Sequence, residues 1–157
     1  NLKIPHRSKS IFKGNVEALY KLGCATIHEN KNYTNYDTVK VNKIRLDEDL
    51  KNFDIGFIKI DVEGHEKNVL LGGINLIKLC KPKILIECEN RHLKEGDIFD
   101  VFQILFDLGY SGYFFENRTR KSINNFKVDI HQKIRKARFW QAKEYINNFI
   151  FEPTIIS

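Results

Sequence analysis

The stretch "FIKIDVEGHEKNVLLGG", Phe57 to Gly73, decides how this chain is read. Phe57, Ile58 and Ile60 surround a lysine and run into Asp61, Glu63, His65 and Glu66, after which Val69, Leu70 and Leu71 lead to two glycines. The opening residues are β-formers and, with Val62, predict a strand buried on both faces, as in a parallel sheet. Glu63 to Leu71 then predicts a helix on Val69 and Leu70, resumed past Gly72 and Gly73 by Ile74, Ile77 and Leu79; the glycines end or kink it. "KILIECE", residues 83–89, is the next strand, apolar until Glu87 and Glu89. Roughly twenty residues separate the two strands, enough for a helical crossover, so a right-handed βαβ unit with parallel neighbours follows.

Further along, Asp97 is placed to cap a helix whose apolar residues Ile98, Val101, Phe102, Leu105 and Leu108 recur at three- and four-residue intervals until Gly109. "YSGYFFE" and "YINNFIFEP" predict two more strands, Pro153 marking the exit of the last. The connection between them, Asn117 to Lys143, is too long for a tight hairpin and has room for a helix around Lys133 to Tyr145. Upstream, "NLKIP", "ATIHE" and "TVKVNKI" are short β-like runs, "NKNYTNYD" is a loop, and "LDEDLKNF" is a short helix. No internal repeat or second-domain boundary interrupts residues 1–157, so a single α/β domain is expected.

At 157 residues with 42% hydrophobic content, the chain can bury a real core. Three cysteines, Cys24, Cys80 and Cys88, form no CxxC pair and suit reduced thiols. No apolar run approaches the ~20 residues that span a bilayer, and the first ten residues lack a signal-peptide core, so a soluble, cytoplasmic protein is expected. The net charge of +6 is uneven: Arg118 to Lys143 carries nine basic residues against Asp129, a local +8, which leaves about −2 elsewhere.

In an open parallel sheet, ligands bind beyond the carboxyl ends of the strands. Asp61 and Glu63 end one predicted strand, and Glu87 and Glu89 end its neighbour, so four carboxylates should surround one crevice. Such crowding raises carboxyl pKa values and requires cations, donors or a ligand nearby; Lys59, His65, Arg91 and His92 are close in sequence. The plainer alternative is that Asp61 or Glu63 caps the following helix while Glu87 and Glu89 make ordinary salt bridges. "GHEKN" lacks the second histidine of HExxH, and Asp61, Glu63, His65 and Glu87 have no fixed metal-ligand spacing, so no metal is assigned. Cys88, between two glutamates, is disfavoured as a thiolate, and no GxSxG is present.

With "FIKIDVEGHEKNVLLGG" followed by "KPKILIECENRH", and with "IRLDEDL" ahead of them, the chain resembles the FkbM family of S-adenosylmethionine-dependent methyltransferases. Its characteristic segment is a strand ending in K-I-D-V-E-G, a leucine-rich helix and glycine, then a Pro-preceded strand ending in acids. Arg45 stands where threonine is common, and "LGYSGYFFE" and "YINNFIFEP" look like the family's final strands, so the resemblance runs from about Val41 to Pro153. It implies a class I methyltransferase (Rossmann-like) sheet with "GFIKID" as strand four, "KILIECE" as five, "YSGYFFE" as six, and "YINNFIFE" as an antiparallel seventh strand between five and six.

The resemblance further implies S-adenosylmethionine as cofactor and O-methylation of a sugar or natural-product hydroxyl, the acceptor being a small molecule or glycan. It places Asp61 near the transferred methyl. His65 and His92 are the base candidates, because imidazole titrates near neutrality; Glu63, Glu87, Glu89 and Arg91 are expected to bind substrate. The nine glycines contain no GxG, so the cofactor's glycine-rich loop is absent, and the chain is expected to be the C-terminal portion of a longer enzyme. A second hypothesis is a non-catalytic module that holds nucleic acid or an anionic surface through residues 118–143 with Phe126, Phe139 and Trp140. The sequence lacks an RNP, KH or helix-turn-helix signature, which ranks it below the enzyme.

Overall fold

In a computed structural model, residues 2–5, 36–134, 142 and 144–154 are described. The chain divides into two compact units, Asn1–Lys43 and Ile44–Ser157. In the first, β1 (Leu2–Pro5) pairs antiparallel with β2 (Tyr36–Val39), Leu2 opposite Val39. β2 claims Tyr36 and Asp37 from the expected loop, while residues 40–44 of the expected "TVKVNKI" strand are not in a strand. "ATIHE" lies outside the described residues.

The second unit holds α1 (Leu46–Asp49), β3 (Phe57–Asp61), α2 (Glu66–Gly72), α3 (Ile74–Cys80), β4 (Lys83–Glu87), α4 (Ile98–Asp107), β5 (Tyr110–Glu116), β6 (Thr119–Ser122), α5 (Val128–His131) and β7 (Asn148–Pro153). The sheet order is β3-β4-β7-β5-β6. β3 and β4 are parallel, whereas β7 runs antiparallel to both β4 and β5, and β6 antiparallel to β5. The final strand is thus antiparallel and inserted between the strands at 83–87 and 110–116.

Register explains the core. Ile60, Ile86 and Phe149 align across β3, β4 and β7, as do Ile58, Ile84, Phe151 and Gly112 with β5 added. Side chains in one such row share a face, and this face is apolar. Phe102 of α4 packs on it, its ring 4.8 Å from that of Phe149 and 5.3 Å from that of Phe151. Phe126 closes the cluster, 4.8 Å from Phe149 and nearly edge-on to it. Gly112 lets the Phe151 ring lie over the backbone of β5, because a Cβ there would stand 2.5 Å from a ring carbon.

The opposite row, Lys59, Leu85, Ile150 and Tyr113, is exposed or half-buried. β3 is therefore buried on one face, not two: Ile60 is buried and Ile58 partly so, whereas Phe57 is 58% exposed. Phe57, Lys59 and Asp61 share the face opposite Ile58 and Ile60, and that face is exposed among the described residues.

Local signals set the other boundaries. The Asp97 carboxylate accepts from the Phe99 and Asp100 amides while the Asp100 carboxylate accepts from the Asp97 amide, a full capping box for α4. α2 and α3 break at Gly73, and Asp47 of α1 accepts from the amides of Asn75 and Leu76 just past the break. A tight hairpin does follow β5, contrary to expectation: Asn117 and Arg118 both take positive φ, 50° and 66°, the backbone of a two-residue turn matched to strand twist. Asn tolerates that conformation well, which is the signal the hairpin carries. Of the helix expected over Lys133–Tyr145, Lys133, Ile134 and Tyr145 are not helical, and residues 135–141 and 143 lie outside the described residues.

Candidate functional site

Parallel pairing sets Asp61 at the end of β3 opposite Glu87 at the end of β4. Asp61 is exposed and receives a 2.8 Å bond from the Lys59 ammonium, which raises the lysine's pKa. Glu87 is half-buried and accepts from Asn147 Nδ2 at 2.9 Å. Its pKa is raised, first by burial and then by the charges of Asp61, Glu89 and Glu63, with Lys59 opposing. Asp61, Glu89 and Glu63 are thus close enough to Glu87 to add to the effect of its burial.

Glu89 differs from Glu87 two residues away. It is 6% exposed, and its carboxylate accepts from Arg91 Nε at 2.6 Å, from Arg91 Nη2 at 3.2 Å, and from the Tyr145 hydroxyl. Burial alone would raise its pKa, but the bonds from Arg91 and Tyr145 outweigh that cost and hold it below the usual carboxylate range. Burial and the Glu89 charge together push the Tyr145 phenol up. Glu87 and Glu89 are thus two carboxylates with opposite proton affinities beside the same strand end.

The turn after β3 carries the remaining residues. Glu63 and Gly64 both have positive φ, 47° and 91°, so the chain doubles back before α2. Holding a glutamate in that left-handed region costs about 1 kcal/mol. His65 is the residue at the helix entry, half-buried, with Nδ1 3.4 Å from Asn68 Nδ2. The N-cap of α2 is His65, which makes no side-chain capping bond, while Glu89 makes with Arg91 the ordinary ion pair that the plainer alternative expected. His92 lies in a single 3₁₀ turn, Asn90–His92, and its charge contributes to lowering the Glu89 pKa.

Four participants were not singled out by sequence. Glu66 is 1% exposed, its Oε1 accepting from the Gly64 amide at 2.8 Å. Its spacing from Val69 and Leu70 puts it on their apolar stripe, a signal of burial that was legible. Tyr145, Asn147 and Gln132 reach the site from 42–60 residues away, and no local pattern announces them. Cys88 is buried, and burial with the charges of Glu66 and Glu89 raises its thiol pKa, which keeps it protonated. Among the described residues, no three His, Cys, Asp or Glu side chains are arranged to hold a metal ion.

The basic segment has another role where it is described. Phe126, expected to stack on a partner, is 3% exposed and lies in the core, because the chain after β6 folds back over Phe114 and Phe149. His131 is buried there too, stacked on Phe126 and 3.4 Å from Glu116. Arg120 pairs with Glu152 at 3.4 Å and covers the Tyr113 ring. Phe139 and Trp140 lie outside the described residues. No helix among the described residues is long and apolar enough to cross a membrane.

No curated protein and no solved structure matches the chain. A family model described as "Methyltransferase FkbM domain" matches residues 10–112, beginning upstream of Val41 and ending within β5. That span holds α1, β3 with its acidic tip, the Glu63–Gly64 turn, β4 and α4, and it exceeds half of the 157 residues. With the matched span centred on the strands that carry Asp61 and Glu87, the chain belongs to the FkbM methyltransferase family.

Proposed function

We propose that this methyltransferase domain takes part in S-adenosylmethionine-dependent O-methylation of a sugar or natural-product hydroxyl, with the reaction centred on the carboxyl ends of β3 and β4. The observation that carries the reading is the pairing of Asp61 with Glu87 and the response of Glu87 to three neighbouring acids. The strand order β3-β4-β7-β5, with β7 antiparallel, supports a class I methyltransferase sheet.

The donor set fits part of the cofactor. Asp61 and Glu87 are acceptors at an anionic strand end, suited to the hydroxyls and positive charges of S-adenosylmethionine, which supplies an electrophilic methyl when bound. Asp61 is the residue we assign to that contact. Methyl transfer to a hydroxyl needs in-line approach and removal of a proton. His65 and His92 are assigned as base candidates, and Glu87 joins them: its raised proton affinity makes it a better acceptor than an ordinary carboxylate. Glu63 would hold acceptor hydroxyls, while Glu89 and Arg91, already bonded to one another, would shape the wall they bind against.

The test is methyl transfer from radiolabelled S-adenosylmethionine to a panel of sugars and polyhydroxylated natural products. Label should pass to a hydroxyl, and Asp61→Asn should lower the rate at least ~100-fold with little change in melting. Undiminished transfer by Asp61→Asn removes its role.

A further inference from the structure

Gln132 is 7% exposed and sits where three stretches of chain meet. Its Nε2 donates to the Cys88 carbonyl at 2.8 Å and to the Ile146 carbonyl at 2.9 Å, and its Oε1 accepts from the Asn90 amide at 2.8 Å. Both hydrogens and the oxygen of one carboxamide are therefore used, a pattern no other uncharged side chain of that length can supply. Two main-chain bonds reinforce it: Ile146 N donates to His131 O at 2.9 Å, and Cys88 N donates to Asn147 O at 2.8 Å. The residues on either side of Ile146 are the two that reach the strand-end acids, Tyr145 bonding to Glu89 and Asn147 to Glu87.

From this geometry we infer that Gln132 is a positioning residue: its carboxamide ties the chain after β4 to the chain before β7, and so sets the Tyr145 hydroxyl on the Glu89 carboxylate and Asn147 on Glu87. The two segments are 42 and 14 residues from Gln132 along the chain, and its one side chain bonds to both. All of its hydrogen-bonding positions are used at this junction, and the Tyr145 hydroxyl beside it is, after Arg91, one of the groups that hold the Glu89 pKa down. That the junction serves catalysis rests on the methyl-transfer reading; the clamp itself does not.

The substitution that probes it is Gln132→Met, which keeps the length of the side chain, removes both donors and the acceptor, and adds no charge. Carboxyl-detected NMR titration of Glu89 needs neither cofactor nor acceptor. In Gln132→Met the proton affinity of Glu89 should rise about tenfold, one pKa unit. Tyr145→Phe should raise it similarly, and adding Tyr145→Phe to Gln132→Met should change it little further, because the hydroxyl is already displaced. An unchanged Glu89 titration in folded Gln132→Met overturns the proposal. Where that variant does not fold, amide exchange in the wild-type chain decides: the Asn90 and Ile146 amides should exchange together, and fast independent exchange of Asn90 overturns the clamp. If Gln132→Met shifts Glu89 while Asp61→Asn keeps full transfer activity, the clamp stands and the methyl-transfer reading falls.

Discussion

The aromatic core under β4, β7 and β5 and the acidic ends of β3 and β4 lie at opposite extremes of physical chemistry within one sheet. In the core, Phe102, Phe114, Phe126, Phe149 and Phe151 are at most 3% exposed and touch one another, so each is fixed by several neighbours. At the strand ends the same strands finish in Asp61, Glu87 and Glu89, whose charges repel and whose positions depend on directed bonds from Lys59, Asn147, Arg91 and Tyr145. Apolar packing is redundant, whereas a polar network loses a member with every bond removed. The difference teaches where stability and chemistry are kept apart: the face that holds the fold ends one residue before the groups that would react.

The sharpest way to break that separation is Phe102→Ala, which empties the centre of the core. It should cost about 3–5 kcal/mol in urea unfolding, yet leave the Glu87 titration in the surviving folded protein in place. Asp61→Asn is its mirror image, with a ~100-fold loss of transfer and near-wild-type melting. A variant in which both properties move together would mean the two regions are not separate. At a smaller scale, Asp97→Ala removes one half of the α4 capping box and should cost ~1 kcal/mol without altering activity, read from the same urea midpoints.

The acids also differ from each other in how they tie stability to pH. Glu87 has a folded pKa above the ordinary 4.5, so the folded state binds the extra proton and stability falls as pH rises from 4.5 through that raised value. Glu89 has a folded pKa below 4.5; its contribution is in place above 4.5 and is lost as pH falls through the lowered value. Glu87→Gln should therefore raise the urea midpoint at pH 7 and Glu89→Gln should lower it, the second difference shrinking in acid.

Sequence patterning found the elements that follow from periodicity. The α4 helix with its Asp97 cap, β4, β5, and the break at Gly72–Gly73 all sit where apolar spacing and glycine put them. What it missed are features decided by tertiary placement. Phe57 looks like a core residue in any window of sequence, but it lies on the face of β3 turned away from the core and is exposed. The hairpin at Asn117–Arg118 was hidden by the length of the connection it opens. For the site, the acids were visible because charge at the end of an apolar strand is unusual. Gln132, Tyr145 and Asn147 were not, since polar residues in a long connection carry no period and their partners lie far away along the chain.

The central claim is that the tips of β3 and β4 share one electrostatic environment. Carboxyl-detected NMR titration of Glu87, in the wild-type chain and in Asp61→Asn, tests it most directly. A Glu87 pKa above 4.5 that moves down when the Asp61 charge is removed is the predicted result; a Glu87 titration indifferent to Asp61→Asn would contradict it.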